Sequence, residues 1–356
     1  MSDVLAAWQE RIRHAAAANT PLRIVGRGTK DFYGQELCGE PFETGAYAGV
    51  VDYDPTELVI TARCGTPLVA IEQTLKAGGQ MLGFEPPQFG RAATLGGCIA
   101  AGLAGPRRPY AGAVRDLVLG VRLLDGRGED LNFGGRVMKN VAGFDVSRVV
   151  AGSLGTLGVM LEVSLKCQPL PRVEATRVLE LTADEALERM NTWGGQPLAI
   201  SATCYYEGRL YARFAGAQSA VAAAVRAVGG VALDEPEAFW GSLREQTHPF
   251  FAIDPDLPLW RLSVRTTAPL SALGGPQLVE WGGGLRWLKA NPPVDAVRLR
   301  HWARQHGGHA TLYRAADKSA GVFQRPDAPL LRLQRALKSA FDPSGIFNRH
   351  RMFPDF

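Results

Sequence analysis

The chain contains 356 residues, of which 46% are hydrophobic and 21% are charged, with 39 Lys and Arg against 35 Asp and Glu. At roughly 150 residues per domain, this length suits about two domains with real cores, and the composition excludes an intrinsically disordered protein. A formal net charge of +4 without a Lys- and Arg-rich run gives no support for nucleic-acid binding.

Cysteine spacing and hydropathy exclude further classes. The five cysteines are at least 26 residues apart. This spacing excludes CxxC zinc or redox motifs and clustered iron–sulfur ligands, and it predicts reduced thiols in a cytoplasmic protein. The first turns carry Asp3, Glu10 and Arg11, so we expect no signal peptide. The best apolar run, residues 149–161, is short and contains glycine, so we expect no membrane span.

Hydrophobic periodicity predicts helices mixed with strands in the first half of the chain. In chain order these are a helix over 2–18, strands over 22–25 and 58–64, a helix capped by Thr66 with Pro67 at its first position and ending at Gly78–Gly79, a hairpin of strands 117–124 and 130–133, and a strand over 157–167. Residues 168–171, with the sequence QPLP, interrupt the pattern and mark a predicted domain boundary.

The second half has fewer glycines and again mixes the two periodicities. Helices are predicted over 182–193, 217–228, 236–247, 294–305 and 328–341, and strands over 200–206, 209–214, 259–266 and 278–281. The predicted fold class is therefore α+β.

Glycine is concentrated in one part of the chain. Of 41 glycines, 16 lie within residues 83–158, about 21% of that window against a usual level of about 7%. Three glycine-rich segments stand out, namely VGRGTKDFYG at 25–34, GRAATLGGCIAAGLAGPRRPYAGAVRD at 90–116 and KNVAGFDVSRVVAGSLGTLGV at 139–159. Small residues after a strand let successive backbone N–H groups converge on an anion and leave room for a flat ligand.

The three segments do not follow a standard nucleotide motif. None has the Rossmann GxGxxG order of strand, turn and helix, and no GxxxxGK[ST] is present. Each segment alone is equally typical of tight turns in a packed sheet. Three of them within 135 residues favour a dinucleotide site.

The order of the motifs resembles a known flavoprotein family. GRGTK, then TLGGxxAxGxxG, then GxxGTLGV resembles the FAD-binding domain of the vanillyl-alcohol-oxidase (PCMH-type) family. Within it, AGLAGPRRPYAGAVRDLVLG, KNVAGFDVSRVVAGSLGTLG and the tail FDPSGIFN are similar to FAD-binding subunits of glycolate oxidases. The resemblance covers essentially the whole chain. It implies a PCMH-type FAD-binding domain of two α+β subdomains (1–170), an α/β cap domain (171–315) and a C-terminal helix and tail packing on the FAD domain (316–356).

The resemblance also implies FAD contacts in each segment. The residues expected at the diphosphate are Gly26, Arg27, Gly28, Thr29 and Lys30. The residues expected beside the diphosphate and flavin are Thr94, Leu95, Gly96, Gly97, Ala100 and Gly102, with Pro87 ahead of them. The residues expected at the adenine or ribose are Gly155, Gly158 and Val159. Many relatives hold the flavin covalently through a His in the first loop or a Cys ahead of the second. Here Lys30 or Asp31, and residues 91–93 (Arg-Ala-Ala), stand at those positions, so we expect non-covalent FAD.

A polar cluster between the glycine segments supplies the candidate catalytic residues, Arg107, Arg108 and Tyr110. One interpretation is an anion clamp for a carboxylate substrate or for the acidic surface of a partner. The other is a solvated loop whose arginines pair with Asp116, and both stay open. We expect no metal site, because the pair His306 and His309 has no carboxylate near it in the sequence.

The resemblance implies a FAD-binding subunit of a glycolate (2-hydroxyacid) dehydrogenase or oxidase complex. It would pass electrons from hydroxyacid oxidation through flavin towards an iron–sulfur subunit and quinone. Expected partners are a second FAD subunit, the iron–sulfur subunit and a small 2-hydroxyacid, at the inner face of the membrane through the complex. Two alternatives stay open, a stand-alone FAD-dependent alcohol or hydroxyacid oxidase and a structural subunit with a vestigial flavin site.

Overall fold

The computed structural model describes residues 2–135, 145–254, 256–270, 273–289 and 295–355. The helices are α1 (Ser2–Ala18), α2 (Leu68–Ala77), α3 (Leu95–Ala101), α4 (Arg108–Ala111), α5 (Val114–Leu117), α6 (Ala183–Gly194), α7 (Gln218–Val228), α8 (Pro236–Glu245), α9 (Pro249–Ala252), α10 (Ala296–Gln305) and α11 (Ala328–Phe341), with 3-10 turns at Val146–Arg148 and Trp281–Gly283. In the described part, no helix combines the length and apolarity that a membrane crossing requires.

Strands are mixed with these helices throughout the described residues. They are β1 (Leu22–Val25), β2 (Glu40–Glu43), β3 (Val50–Asp54), β4 (Val59–Arg63), β5 (Gln80–Met81), β6 (Val118–Leu124), β7 (Asp130–Gly134), β8 (Val159–Lys166), β9 (Gln168–Pro169), β10 (Val173–Glu180), β11 (Ile200–Tyr206), β12 (Arg209–Gly216), β13 (Val231–Ala232), β14 (Leu259–Ser263), β15 (Gln277–Glu280), β16 (Leu285–Lys289) and β17 (His309–Arg314). The mixture confirms the predicted α+β class.

An antiparallel five-stranded sheet in the order β3-β4-β8-β6-β7 organises the first half. Its central strand β8 is buried on both faces, because Val163 packs among apolar residues of α2 and α3 while Leu161 packs with Ile12 of α1 and Phe347 of the tail. A short parallel pair, β1 with β2, lies beside this sheet. The N–H of Leu22 in β1 donates to the Ile346 carbonyl at 2.7 Å, so the C-terminal tail returns to the start of the chain.

A second antiparallel sheet of eight strands has the order β13-β10-β12-β11-β15-β16-β14-β17. Apolar residues of α6 and α7 pack on it in one cluster. A separate cluster joins Trp281, Trp287 and Tyr313 of this half to Tyr33 and Leu154 of the first half. Aromatic side chains therefore fill the contact between the halves. The boundaries at residues 170 and 315 stay predictions.

The helix after Pro67 differs from its prediction at its start. Pro67 is extended, with φ −58° and ψ 135°, and the helix begins at Leu68. Thr66 does not cap it; its hydroxyl accepts from the Gly49 N–H at 2.8 Å. The reason is that Pro67 bridges Thr94 of the second glycine-rich segment, which holds it outside the helix. The last predicted helix, by contrast, is confirmed over its full length.

Candidate functional site

The first glycine-rich loop leaves β1 and forms one wall of a deep cavity. The backbone N–H groups of Arg27, Gly28, Thr29 and Lys30 donate to no acceptor among the described residues. Successive free N–H groups in a tight loop form a concave set of donors for an anion. The loop therefore offers main-chain donors to a phosphate.

The cavity has a volume of about 790 Å³, its open mouth included. Its lining contains most of the predicted cofactor contacts, namely Gly26, Arg27, Gly28, Thr29, Lys30, Thr94, Gly96, Gly97, Ala100, Gly155 and Gly158. The remaining lining residues are Ile24, Val25, Asp31, Tyr33, Leu37, Thr44, Cys64, Ala101, Leu154, Met160, Asn348 and Arg351. The structure thus brings all three glycine-rich segments to one cavity.

The second segment enters α3 and forms another wall of the same cavity. The N–H of Gly96 donates to the Cys64 carbonyl at 2.7 Å. The N–H of Gly97 donates to the hydroxyl of Thr94, the N-cap residue of α3, at 3.3 Å. Because these two donors are already bonded and the glycines carry no side chains, Gly96 and Gly97 contribute space to the cavity and no free N–H group.

The first and second segments approach each other closely. A Cβ atom at Gly26 would collide with the Thr94 hydroxyl. A Cβ atom at Gly97 would have only that hydroxyl within 4 Å, at 3.3 Å. A side chain at Gly26 would therefore spread the two segments, and a larger one at Gly97 would fill part of the cavity.

The third segment closes the cavity and is tied to the first by the C-terminal tail. The side-chain oxygen of Asn348 accepts from the Ile24 N–H at 2.8 Å. Its amide nitrogen donates to the Leu154 carbonyl at 2.5 Å. The part of this segment at 139–144 lies outside the described residues.

Four predicted FAD contacts do not line the cavity: Pro87, Leu95, Gly102 and Val159. Leu95 and Val159 point into the hydrophobic core, where they are 1% and 0% exposed. Gly102 ends α3 with a left-handed φ of 63°. Pro87 is buried in the loop before the second segment. The structure therefore does not bring these four residues to the cavity.

The sequence does not predict two polar residues of the wall, Asn348 and Arg351. The Arg351 guanidinium donates to the carbonyls of Asp31 at 2.7 Å and Tyr33 at 2.5 Å. Burial lowers the pKa of Arg351 to about 10. The tail motif FDPSGIFN, which ends in Asn348, is the one signal that pointed to this part of the wall.

Arg107 lies between the two halves and outside the cavity lining. Its Nε donates to Glu85 at 3.1 Å, its backbone N–H donates to the same carboxylate at 3.0 Å, and its guanidinium also pairs with Glu174. Arg213 of β12 donates to Glu85 at 2.8 Å. The guanidinium of Arg107 is thus occupied by carboxylates of the chain itself.

Arg108 has a different environment. Its guanidinium carbon lies 4.4 Å from the centre of the Trp281 ring, and that of Arg261 lies 5.1 Å from the same ring. Neither arginine forms an ion pair within the described residues. Burial, followed by the charges of Arg261 and Arg115, lowers the pKa of Arg108. Tyr110 is 43% exposed beside it. Positive charge therefore stays available here for an anion.

The first third of the chain matches a known protein family. Residues 5–134 match the family model described as a FAD binding domain. The match contains the first loop, the second segment, Arg107 and Arg108, and it confirms the predicted FAD-binding domain. The free donors of the first loop and the space beside Gly97 fit the diphosphate of that cofactor.

Similarity extends over nearly the whole chain. It is 46% identical over 353 residues to glycolate oxidase subunit GlcE of Escherichia coli, with 99% of this chain and 98% of that protein covered. The chain belongs to the GlcE family. The predicted family resemblance is thereby confirmed.

A second curated protein and a solved structure are similar to this chain at lower identity. Glycolate oxidase subunit GlcD of Bacillus subtilis is 30% identical over 161 residues, which are 43% of this chain and 33% of that protein. A solved structure of alkyldihydroxyacetonephosphate synthase is 17% identical, with a TM-score of 0.64 over 96% of this chain and 73% of that one. This last likeness shows a shared fold.

Proposed function

We propose that this chain is a FAD-binding subunit of a glycolate (2-hydroxyacid) dehydrogenase or oxidase complex, with FAD held non-covalently in the glycine-lined cavity. The observation that carries the proposal is that one cavity brings together a loop with four N–H groups unbonded within the described residues and the side-chain-free Gly96 and Gly97 of the second segment. The membership of the GlcE family supports the substrate class.

Each part of the cavity has its own proposed contribution to FAD binding. Residues 26–30 donate to the diphosphate. Thr94, Gly96, Gly97 and Ala100 form the wall beside the diphosphate and flavin, and Gly155 and Gly158 reach the adenine or ribose through their backbone. FAD, when bound, accepts a hydride and passes electrons onward, while the protein binds and orients it.

The side chains at the cavity favour non-covalent binding. Many relatives of the wider family attach the flavin through a His or a Cys, and the described lining contains no histidine and a single thiol, Cys64. Burial raises the pKa of Cys64 far above its ordinary value, so its reactive thiolate form is suppressed. Lys30 or Asp31 stands where many relatives of the wider family carry histidine.

We assign the substrate carboxylate, or an acidic group that takes its place, to Arg108 and Arg261 around Trp281. Arg108→Ala should leave FAD bound but lower the rate of glycolate oxidation by the assembled complex by about 30-fold or more, because a desolvated Arg–carboxylate contact contributes about 2–5 kcal/mol. Arg115→Ala is the matched control, since its side chain is 68% exposed. Equal activity of the two variants would refute the assignment.

The proposal includes partners because the E. coli relative is named a subunit. They are a GlcD-like FAD subunit for the hydroxyacid chemistry and a GlcF-like iron–sulfur subunit that takes electrons towards quinone, at the inner face of the membrane. Four of the five cysteines are buried single thiols, which agrees with an iron–sulfur cluster on another chain.

Purification of the chain alone tests the proposal. A yellow protein that does not oxidise glycolate supports a subunit function, a yellow and active one supports a stand-alone oxidase, and a colourless one supports a structural subunit. Denaturing precipitation should release the flavin into the supernatant. Yellow colour on the pellet would contradict non-covalent binding.

A further inference from the structure

The loop Glu85–Phe89 lies between the cavity and the second sheet, and its backbone is strained at both ends. Glu85 has a φ of 45° and Phe89 a φ of 53°, left-handed values that L residues rarely adopt. Such conformations cost free energy and persist where the surroundings hold them in place. The contacts at each end therefore indicate what holds this loop.

The first end of the loop is held by arginines from both halves of the chain. The Glu85 carboxylate accepts from Arg213 of β12 at 2.8 Å and from Nε of Arg107 at 3.1 Å. Although burial opposes it, these two guanidinium groups hold the pKa of Glu85 below its usual value. Glu85 is thus an ionised anchor.

The other end is held by one carboxylate at the end of α8. Glu245 accepts from the backbone N–H of Gln88 at 3.0 Å and from that of Phe89 at 2.9 Å. Its other oxygen lies 2.9 Å from Nε of Arg244. Hydrogen bonds to an ionised group are stronger than those between neutral groups. Glu245 therefore fixes the orientation of the peptide group between Gln88 and Phe89.

The carbonyl of that same peptide group contacts Lys30, a residue of the cavity lining. The Lys30 ammonium donates to the Gln88 carbonyl at 3.2 Å and lies 5.5 Å from the centre of the Phe89 ring. Burial lowers the pKa of Lys30, while Cys98 and Glu245 oppose this shift. A single loop thus connects Glu245 on one side to Lys30 on the other.

We propose that Glu245 is a positioning residue that acts through the 85–89 loop to hold the Lys30 ammonium at the cavity wall. This rests on the proposed function, in which Lys30 faces the diphosphate of FAD. In this proposal, Glu245 belongs to the second half of the chain and raises the FAD affinity of the cavity in the first half, without itself contacting FAD.

A double-mutant cycle on the FAD dissociation constant tests this coupling. Glu245→Ala and Lys30→Met should each weaken FAD binding about tenfold, as expected when a hydrogen bond to a charged group is lost. The double variant should also lose about tenfold, because both changes remove the same contact. Glu245→Gln, which keeps an acceptor oxygen, should restore most of the affinity. Glu237→Ala, at an exposed position of the same helix, should match the unmodified chain.

An additive loss of about a hundredfold in the double variant would overturn the proposal, since it would show that Glu245 acts independently of Lys30.

Amine modification of Lys30, followed by mass spectrometry without added FAD, provides a second measurement. Lys30 should react several times faster in Glu245→Ala than in Glu237→Ala. Equal rates would overturn the positioning role. If the unmodified chain binds no FAD, the proposed function fails alone, and this labelling experiment still decides the role of Glu245. Should Glu245→Ala not fold, Glu245→Asp is labelled in its place, because its shorter side chain withdraws the carboxylate from the N–H groups of Gln88 and Phe89. Lys30 should then react faster than in Glu237→Ala, and an equal rate would overturn the positioning role.

Discussion

The first and second glycine-rich segments line the same cavity, yet they contribute different things to it. The first leaves the short strand β1, and the N–H groups of its residues 27–30 have no acceptor in the described part of the chain. The second enters α3, but the N–H groups of its residues 95–97 are bonded to Cys64, Thr66 and Thr94. A helix N-terminus is the usual anion site, whereas here the irregular loop holds the free donors. Glycine content alone therefore does not identify the segment that binds an anion; the donors have to be counted.

The largest effect should follow from filling the space that the second segment leaves. Gly97→Val places a β-branched side chain where only the Thr94 hydroxyl lies within 4 Å of a Cβ atom. FAD affinity, measured by fluorescence titration, should fall on the order of 100-fold or more because the added carbons occupy the cofactor volume.

Gly241→Val is the matched control for this change. Gly241 also lies inside a helix, α8, and a Cβ atom there would have nothing within 4 Å. It should keep full flavin content. Full flavin content in Gly97→Val as well would mean that the second segment does not face the cofactor.

A smaller effect is expected from the charged side chain of the first loop. Lys30→Gln should weaken FAD binding about tenfold at neutral pH, since a charge-assisted contact to the diphosphate is lost. Burial lowers the pKa of Lys30, with Cys98 and Glu245 opposing the shift, so its ammonium loses its proton at a lower pH than an ordinary lysine. FAD affinity of the unmodified chain should therefore fall as the pH rises through this lowered pKa. The affinity of Lys30→Gln should change less over the same range, and parallel curves would contradict a charged contact.

The residue that joins the first and third segments should have an intermediate effect. Asn348→Ala removes the bonds to the part-buried Ile24 N–H and to the carbonyl of the buried Leu154. The expected cost is about 1–3 kcal/mol of unfolding free energy, with FAD binding weakened about fivefold. Chemical denaturation measures the first quantity, with exposed Asn132→Ala as the control. Unchanged stability would show that the tail does not hold the cavity together.

These residues also show which features of the site can be predicted from the sequence alone. Motif order predicts which glycines meet at one cavity, because each glycine position reflects a local backbone requirement that a short string preserves. It does not predict that Leu95 and Val159 face away, since this depends on how α3 and β8 pack in the core. Nor does it distinguish Arg107 from Arg108. Their difference comes from Glu85 and Glu174, which only the folded chain brings to Arg107.

The smallest effect should come from the exposed side chain of the first loop, and it tests the comparison of the two segments most directly. Arg27 lines the cavity mouth, but the structure gives its guanidinium no hydrogen bond within the described residues. If the loop binds phosphate through its backbone, Arg27→Ala should change FAD affinity by no more than about twofold, within the range of ordinary surface substitutions. The affinity should also keep its dependence on salt, because Lys30 remains. A loss of tenfold or more, removed by high salt, would mean that the guanidinium itself holds the phosphate. The first loop would then bind the diphosphate through a side chain as much as through its main-chain donors.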